Sequence, residues 1–366
     1  MNVTVIFTYE VSLNDWEKTG IIDKELKLYR ELVNKYNHSF TFITFGDEKD
    51  DQLKEDNFKI VPIYSFIKKS NSKYVRFLKS FLIPFVLKKH FKESAIIKTN
   101  QLHGSWIAII AKLIYKKKLI IRTGYDPIEF SKLNNKSWLI IFFYRIQKIL
   151  SLFFSDLYLV SNVLDMNRVT FLKRKVLIRK NWVDKISTNE FFESRNNNTL
   201  LSIGRLEQQK NYLGMLENLS GKYELLIYGT GSLEKDILKK SEQKKVPTKI
   251  FHNISNELLF QVLEKHVFYI NYSKFEGSSK SLLEALAAGC IVLALNNPNN
   301  KEIIKNGENG YLIDESTNID EFITNLKKNQ EELIKISQNA IKYITEHHLL
   351  KNILINENKN YTDLAK

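Results

Sequence analysis

The sequence predicts an α/β protein built from two doubly wound domains, each with a parallel sheet covered by helices on both faces. Short apolar runs alternate with longer amphipathic segments along the chain, which is the pattern of parallel strands joined by helices. The length of 366 residues fits two domains of ordinary size. A polar stretch, Glu193–Thr199, interrupts the alternation and indicates a linker between two series of strands.

The first series contains seven candidate strands and four candidate helices. Short apolar runs predict the strands Val3–Thr8, Phe40–Thr44, Lys59–Ile63, Ala95–Lys98, Leu119–Ile121, Leu157–Val160 and Val176–Ile178. Apolar residues at helical spacing predict the helices Asp23–Tyr36, Tyr74–His90, Ser105–Tyr115 and Lys136–Phe154.

The second series repeats the alternation after the polar stretch. Its predicted strands are Leu200–Ile203, Glu224–Tyr228, Lys249–His252, Val267–Asn271, Ile291–Ala294 and Tyr311–Ile313. Its predicted helices are Leu213–Leu219, Leu233–Ser241, Glu257–Lys265 and Ser281–Ala288, followed by a helical tail from Ile319. We place the domains at residues 1–184 and 185–345, with a C-terminal helix at 346–366 that could cross back to the first domain. Two such halves imply a cleft lined by the carboxyl ends of strands.

Composition and net charge limit the partners and the cellular location that we expect. The chain carries 55 Lys and Arg against 41 Asp and Glu, a net charge of +14. That surplus favours nucleotide phosphates, nucleic acid or an anionic membrane as partner, although solvated faces also explain most of the lysines. The single cysteine, Cys290, excludes an internal disulfide. Residues 1–8 fit a buried strand better than a signal peptide, and no apolar run approaches the roughly 20 residues that span a bilayer, so we expect a cytoplasmic protein.

The first motif places two cations after a predicted strand. Gly204 ends the strand, and Arg205 and Lys210 follow in the loop before the next helix. Ligands of doubly wound sheets bind at the carboxyl ends of strands. A planar guanidinium and a point-charge ammonium together suit a diphosphate. Taken alone, the pattern G-R-x-x-x-x-K also fits a solvated turn.

The second motif is a glycine turn between a strand and a helix, Tyr228-Gly-Thr-Gly-Ser-Leu233. A dinucleotide fingerprint needs a third glycine where Glu234 stands, which disfavours a nicotinamide cofactor. Gly229 and Gly231 either let the backbone approach a nucleotide or simply form the turn, and the sequence leaves both readings open.

The third motif runs from Phe275 to Cys290 and opens a helix near Ser281. The free N–H groups and the positive dipole end of such a helix favour a diphosphate or a sugar oxygen. Glu276 could accept hydrogen bonds from sugar hydroxyls, and Glu284 could do so from ribose hydroxyls. The same residues also fit a helix N-terminus stabilised by two acids, without any ligand.

In this order, the three motifs resemble glycosyltransferase family 4, a group of retaining enzymes with the two-domain GT-B fold. The matching positions are Gly204, Arg205, Lys210, Gly229, Gly231, Leu233, Glu276, Gly277, Glu284 and Gly289. The resemblance covers nearly all of residues 175–315. It implies that Arg205 and Lys210 bind the donor diphosphate, that Glu276 contacts the donor sugar and that Glu284 holds the ribose.

The resemblance defines two sets of candidate residues and a role for each domain. Residues 185–345 would bind the nucleotide-sugar and residues 1–184 the acceptor. We expect catalysis by Glu276, Arg205 and Lys210. The donor set is Gly20, Gly204, Arg205, Lys210, Gly229, Gly231, His252, Glu276, Gly277, Ser278, Ser279, Lys280, Ser281 and Glu284.

Several positions depart from the family pattern. Family members usually have Phe-Gly-Leu-Pro at 278–281, where this chain has Ser-Ser-Lys-Ser and Lys280 adds a cation. In the first half, only Gly20 can serve as the family's glycine loop. The histidine that many members carry after the fifth strand is replaced by the segment 122–126. The candidates for acceptor binding are Arg122, Tyr125, Asn100 and His103, although His103 also fits a plain loop histidine.

The expected reaction moves a hexose-type sugar from a UDP or GDP donor to a saccharide, with retention. The chain has no D-x-D motif, so we expect cations and a helix N-terminus, without metal or cofactor, to stabilise the departing diphosphate. Because relatives often build surface polysaccharides such as capsule or O-antigen, we favour a lipid-linked acceptor.

Two segments, 66–91 and 136–154, mix basic and apolar residues. Such segments can lie in a membrane interface and attract anionic lipid, which would place the protein at the inner face of the plasma membrane. Alternatively, each segment buries its apolar face against the sheet. Two other functions stay open: a nucleotide-sugar 2-epimerase of the same fold, and a basic nucleic-acid-binding protein. Scattered basic residues and the lack of a nucleic-acid-binding motif argue against the latter, so we expect no nucleic-acid partner.

Overall fold

Two parallel β-sheets organise the chain, and each lies in its own unit. The computed structural model describes residues 1–53, 55, 58–188, 192–252 and 254–366. The first unit comprises Met1–Arg179 with Leu354–Lys366, and the second unit comprises Lys180–Ile353. The predicted linker Glu193–Thr199 is therefore not where the chain passes between the units.

The first unit contains a seven-stranded sheet in the order β3-β2-β1-β4-β5-β6-β7, and all its pairings are parallel. Buried strands of this kind need apolar side chains on both faces, as their sequences show. The strands are β1 Asn2–Ile6, β2 Ser39–Thr44, β3 Phe58–Pro62, β4 Ile96–Thr99, β5 Lys118–Arg122, β6 Leu157–Val160 and β7 Val176–Ile178.

Helices pack on both faces of this sheet. They are α1 Leu13–Lys18, α2 Ile22–Tyr36, α3 Glu48–Asp51, α4 Lys73–Ser80, α5 Ile83–Val86, α6 Lys88–Glu93, α7 Ser105–Tyr115, α8 Pro127–Leu133, α9 Trp138–Phe154 and α10 Val163–Asn167. The single helix predicted over Tyr74–His90 is wrong, because this segment forms three short helices. Pro84 has no N–H, and in a continuous helix its ring would clash with the carbonyl of Ser80, so the first helix ends there.

The second unit contains a six-stranded parallel sheet in the order β10-β9-β8-β11-β12-β13. Its strands are β8 Asn196–Ile203, β9 Glu224–Tyr228, β10 Thr248–Phe251, β11 His266–Asn271, β12 Ile291–Leu295 and β13 Tyr311–Ile313. Its helices are α11 Tyr212–Glu217, α12 Glu234–Gln243, α13 Asn256–Glu264, α14 Lys280–Ala287, α15 Pro298–Lys301, α16 Ile319–Leu326 and α17 Gln330–His347. The last helix, α18 Leu350–Ala365, begins in this unit, and its remaining residues belong to the first unit.

The predicted linker Glu193–Thr199 is wrong for a local reason. Strand β8 already begins at Asn196, which pairs with His266, and Thr199 pairs with Glu224. The first residues of β8 extend past the buried part of the sheet, and Asn196 and Asn198 are exposed. Polar side chains are therefore compatible with a strand here.

Both sheets have the strand order of the dinucleotide-binding fold, with the direction of winding reversing after the third strand. This confirms the two Rossmann-like, doubly wound units predicted from the alternation of strands and helices. The reversal lies between β8 and β11 in the second unit. Ligands of such sheets bind outside the carboxyl ends of the strands at this point. The loops after β8 and β11 carry the first and third motifs.

A buried ionic cluster holds the end of α18 in the first unit. Glu357 accepts hydrogen bonds from Nζ of Lys98 (2.8 Å) and from Nε of Arg179 (2.7 Å), and Nζ of Lys98 also donates to the hydroxyl of Tyr361 (2.8 Å). Burial lowers the pKa of Lys98 to about 8. Burial alone would raise the pKa of Glu357, but the two cations lower it to about 2. The carboxylate therefore stays ionised inside the fold.

Candidate functional site

The loops after β8 and β9 are packed backbone to backbone. The amide of Leu206 donates to the carbonyl of Thr230 (2.9 Å), and the amide of Leu233 donates to the carbonyl of Leu206 (3.0 Å). A Cβ atom on Gly231 would lie 2.5 Å from that same Leu206 oxygen, far inside contact distance. A Cβ atom on Gly229 would collide with the carbonyl oxygen of Gly204. Both glycines are thus required by the approach of the two loops.

The side chain of Lys210 crosses over Gly204. A Cβ atom at Gly204 would lie 2.6 Å from Cε of Lys210, so a larger residue there would displace the lysine. The ammonium group of Lys210 forms an ion pair with Glu276, in which the lysine and glutamate side chains are 15% and 8% exposed. Gly204 of the first motif therefore leaves room for Lys210, and Lys210 contacts the third motif through Glu276.

Glu276 is a buried carboxylate that the surrounding groups keep ionised. The hydroxyl of Ser273 donates to its Oε1 at 2.7 Å, and Lys210 binds the same oxygen. Burial by itself would raise the pKa of Glu276, but the charge of Lys210 and hydrogen bonds from Lys210, Ser279 and Ser273 outweigh it and lower the pKa. At neutral pH, Glu276 is a charged acceptor next to a charged donor.

Further bonds hold the first loop against the third. The side-chain amide of Gln209 donates to the carbonyl of Phe275 (2.9 Å), and the amide of Lys274 donates to the carbonyl of Gln209 (3.1 Å). The guanidinium of Arg205 is exposed and donates to Oε1 of Gln209 at 3.4 Å. Arg205 and Lys210 therefore lie on one loop, which is bound along its length to the segment carrying Glu276.

Helix α14 begins beside the end of β8. Ser279 caps it by accepting from the amide of Leu282 (3.4 Å), and the hydroxyl of Ser281 donates to the carbonyl of Ile203, the last residue of β8 (3.2 Å). The helix starts at Lys280, one residue before the predicted start. Glu284 follows in its second turn and is half-buried. The helix N-terminus and the cationic loop after β8 are thus brought to the same edge of the sheet.

Asparagine side chains fix the loop between β11 and α14, and sequence reasoning assigned them no such role. Asn271 closes the loop by accepting from the amide of Ser273 (3.1 Å). Three more donate to loop carbonyls: Asn181 to Ser278 (2.8 Å), Asn297 to Ser273 (2.8 Å) and Asn299 to Gly277 (3.2 Å). The run of asparagines around Pro298, directly after a buried strand, is the signal that could have indicated them.

The structure does not bring His252 to the Lys210–Glu276 pair. His252 follows β10, the edge strand, which is separated from β8 by β9. Its Nε2 lies 3.0 Å from a carboxylate oxygen of Glu234 at the start of α12. A role for His252 in donor binding stays a prediction.

The candidates in the first unit fall into separate places. Arg122 and Asn100 are buried, and Nη1 of Arg122 donates to Oδ1 of Asn100 at 3.2 Å. Tyr125 is exposed and lies against Phe130. Gly20 lies in the turn between α1 and α2, with a left-handed φ of 68°. The roles predicted for these residues in acceptor and donor binding stay predictions.

His103 is enclosed by aromatic rings. Its imidazole lies 5.4 Å from the rings of Tyr9 and Trp106 and 5.8 Å from the ring of Tyr144, measured between centroids. Burial lowers its pKa, so the imidazole is neutral at physiological pH. A role for His103 in acceptor binding stays a prediction.

Metal binding has no obvious place in the described part of the chain. Among the residues that the structure describes, no group of three or more His, Cys, Asp or Glu side chains is arranged to hold a metal ion.

Part of the second unit is similar in sequence to a known protein family. Residues 185–343 match the model of the family described as Glycosyl transferases group 1. An uncharacterized glycosyltransferase of Haemophilus influenzae is 28% identical over 167 residues, which are 40% of this chain and 47% of the relative. A Campylobacter jejuni N-acetylgalactosamine-N,N'-diacetylbacillosaminyl-diphospho-undecaprenol 4-alpha-N-acetylgalactosaminyltransferase is 27% identical over 119 residues, which are 31% of this chain and 33% of the relative.

A solved structure extends the likeness of fold to the whole chain. Anabaena Alr3699/HepE, in complex with UDP and glucose, matches with a TM-score of 0.74 and 14% identity over 99% of this chain and 100% of that one. The fold is GT-B, with two Rossmann-like units. The family match covers residues 185–343, which lie in the second unit. The chain spans about half or less of the length of the curated relatives it matches.

Proposed function

We propose that the chain is a glycosyltransferase that takes a sugar from a nucleotide-diphosphate donor bound at the carboxyl edge of the second sheet. The observation that carries this proposal is the buried pair of Lys210 and Glu276, which joins the cationic loop after β8 to the loop that opens α14. The family match of residues 185–343 supports it. So does the presence of UDP and glucose in the HepE structure of the same fold.

In the proposed reaction, the bond between the anomeric carbon and the β-phosphate oxygen breaks and negative charge builds on the diphosphate. Arg205, Lys210 and the first amides of α14 are the groups that stabilise this charge. Glu276, ionised and fixed by Ser273, accepts hydrogen bonds from hydroxyls of the donor sugar. Glu284 accepts those of the ribose.

We propose further that the anomeric configuration is retained. The acceptor oxygen then approaches from the face that the diphosphate leaves, forms the new bond to the anomeric carbon, and passes its proton to the departing phosphate oxygen. The cations take the place that Mg²⁺ has in metal-dependent transferases, so activity should survive EDTA.

The substrates belong to the same proposal. The donor carries a hexose-type sugar on UDP or GDP, and the acceptor is a saccharide linked to a polyprenyl diphosphate. The Campylobacter jejuni relative, whose name includes a diphospho-undecaprenol acceptor, supports this acceptor class. Such a reaction would serve surface polysaccharide synthesis, such as capsule or O-antigen, from the cytoplasmic face of the plasma membrane.

The test is a donor screen followed by a transfer assay. UDP-, GDP- and dTDP-sugars are incubated with a polyprenyl-diphosphate saccharide, and sugar transfer is followed by mass. Lys210→Ala should lower the transfer rate by about 10²–10³-fold, the usual effect of removing one group that stabilises transition-state charge. Lys239→Ala, which removes an exposed lysine of α12, is the matched control and should keep the wild-type rate. An unchanged rate in Lys210→Ala overturns the assignment, and epimerisation of the donor without an acceptor overturns the transferase.

A further inference from the structure

Helix α9 exposes its apolar side and buries polar side chains. On a helix of about 3.6 residues per turn, Trp138, Phe142 and Phe153 fall within about 60° of one another, whereas residues 147 and 151 lie on the opposite side. The apolar stripe faces outward, with Trp138 and Phe153 71% and 64% exposed. A helix that served only to cover the sheet would have the reverse arrangement.

Hydrogen bonds fix this orientation. The buried side chain of Gln147 donates to the carbonyl of Leu102 (2.7 Å), and the hydroxyl of Ser151 bonds that of Ser105 (2.9 Å). Turning α9 to bury its apolar stripe would break both bonds and expose buried polar partners. The outward-facing stripe is therefore a built feature of the fold.

A second apolar surface lies on α4, α5 and the turn between them. Its exposed side chains are Tyr74, Leu78, Leu82, Phe85 and Val86. An aromatic cluster joins it to α9, since the ring of Phe77 lies 6.1 Å from that of Phe143 and 5.2 Å from that of Trp106. The exposed faces of α4, α5 and α9, together called the apolar face below, are thus neighbours. Exposed apolar area of this extent on one side of a molecule marks an interaction site.

The two segments that carry the apolar face contain basic residues and no acidic ones. Three of these cations, Arg76, Lys132 and Lys148, are paired with acidic residues outside the two segments. Residues 66–92 contain eight Lys and Arg and no Asp or Glu, and residues 132–155 contain four and none. Six of those in the first segment are exposed lysines: Lys68, Lys69, Lys73, Lys88, Lys89 and Lys92. A second copy of this chain would bring two such basic borders together and be repelled. An anionic lipid surface complements both the apolar residues and the charges.

We infer that the apolar face is a membrane-docking surface that lies in the headgroup region of an anionic bilayer. In the described part of the chain, no helix combines the length and apolar character needed to cross a membrane, so the contact is one of surface insertion by side chains. The inference rests on the proposed function and extends it, because docking would hold the protein at the membrane that contains the lipid-linked acceptor. It depends on the first unit alone, and needs no donor.

Trp138 provides a direct probe. The chain has four tryptophans, of which Trp138 is exposed while Trp16, Trp106 and Trp182 are buried or partly buried. Binding to vesicles of phosphatidylcholine with phosphatidylglycerol at low ionic strength should shift tryptophan emission to shorter wavelength. Vesicles of phosphatidylcholine alone should bind at least tenfold more weakly. Absence of binding to the anionic vesicles overturns the inference.

Matched variants distinguish membrane binding by the apolar face from non-specific binding by any exposed apolar side chain. Phe142→Ser with Phe153→Ser removes two exposed rings of α9 and should weaken partitioning into anionic vesicles at least tenfold. Leu258→Ser with Ile355→Ser removes two exposed apolar side chains of α13 and α18 and should leave it unchanged. Equal partitioning of the two double variants overturns the inference. Analytical ultracentrifugation without lipid tests the alternative that the apolar face joins two copies of the chain. A dimer of the wild type that is lost in Phe142→Ser with Phe153→Ser, but kept in Leu258→Ser with Ile355→Ser, would overturn the inference.

Two readouts distinguish this inference from the proposed function. Phe142→Ser with Phe153→Ser should bind nucleotide and unfold at the wild-type temperature, because both rings are exposed and lie in the first unit. Lys210→Ala should keep full vesicle binding. Loss of vesicle binding in Lys210→Ala would contradict the assignment of the docking surface to the apolar face.

Discussion

Replacing Glu276 by glutamine removes the charge of the buried pair and keeps its shape. Breaking a buried ion pair outright costs about 3–5 kcal/mol, because the remaining charge loses its partner. The glutamine oxygen can still accept from Lys210 and Ser273, so we expect about 2 kcal/mol for Glu276→Gln. For a unit of this size, that corresponds to a drop in unfolding temperature of about 4–8 °C.

The pH dependence of this loss identifies its cause. The pKa of Glu276 in the folded protein lies below its ordinary value of 4.5. A depressed pKa contributes stability that is present above the unfolded-state pKa and is lost as pH falls through the folded-state value. Wild type should therefore lose this part of its free energy of unfolding on acidification. Glu276→Gln should not, because it has no carboxylate at this position. The gap in unfolding temperature should be full near pH 7 and narrow as the pH falls below 4.5.

The assay is differential scanning calorimetry of both proteins from pH 7 down to about pH 3, below the ordinary pKa of a glutamate. Glu315→Gln, which neutralises an exposed carboxylate of the same unit, is the control and should match wild type throughout. A gap between wild type and Glu276→Gln that stays constant or widens on acidification would refute the reasoning, because the lost stability would then not come from an ionised Glu276.

Three further predictions concern the loops, the ionic cluster and metal. Gly231→Ala should destabilise the second unit by about 1–3 kcal/mol in a urea titration, since overpacking has costs of that size and its Cβ would meet the Leu206 backbone; full stability would show that the loops can separate. Glu357→Gln should cost the first unit about 3–5 kcal/mol in the same titration, because it leaves two buried cations without a charged partner; a smaller loss than Glu276→Gln would contradict the burial argument. EDTA should leave the transfer rate within twofold of the untreated enzyme, and a loss restored by Mg²⁺ would give the metal the role proposed for Arg205 and Lys210.

Local sequence information was sufficient for the doubly wound units and for the ends of most strands. Apolar periodicity identifies a buried strand, and the carboxyl ends of parallel strands share one edge of the sheet. The sequence alone therefore placed the motifs that contain Gly204 and Glu276 at the same edge of the sheet. The exceptions were equally local: Pro84 interrupts a helix that periodicity alone predicts as continuous, and the polar start of β8 has the composition of a loop.

Contacts between distant residues could not be predicted in the same way. Asn181 bonds the carbonyl of Ser278 across nearly a hundred positions of sequence, and nothing near either residue indicates the other. The sequence also left the orientation of α9 undecided, because a segment rich in apolar residues permits either face to be buried. Gln147 and Ser151 decide it, but only through partners on and beside α7.

The central claim is that the loop of Arg205 and Lys210 binds a pyrophosphate at the tip of α14. Isothermal titration of UDP against UMP, and of GDP against GMP, with wild type and Lys210→Ala measures this directly. Wild type should bind one diphosphate at least tenfold more tightly than its monophosphate, and the variant should lose most of that preference. An equal preference in both proteins would contradict the account.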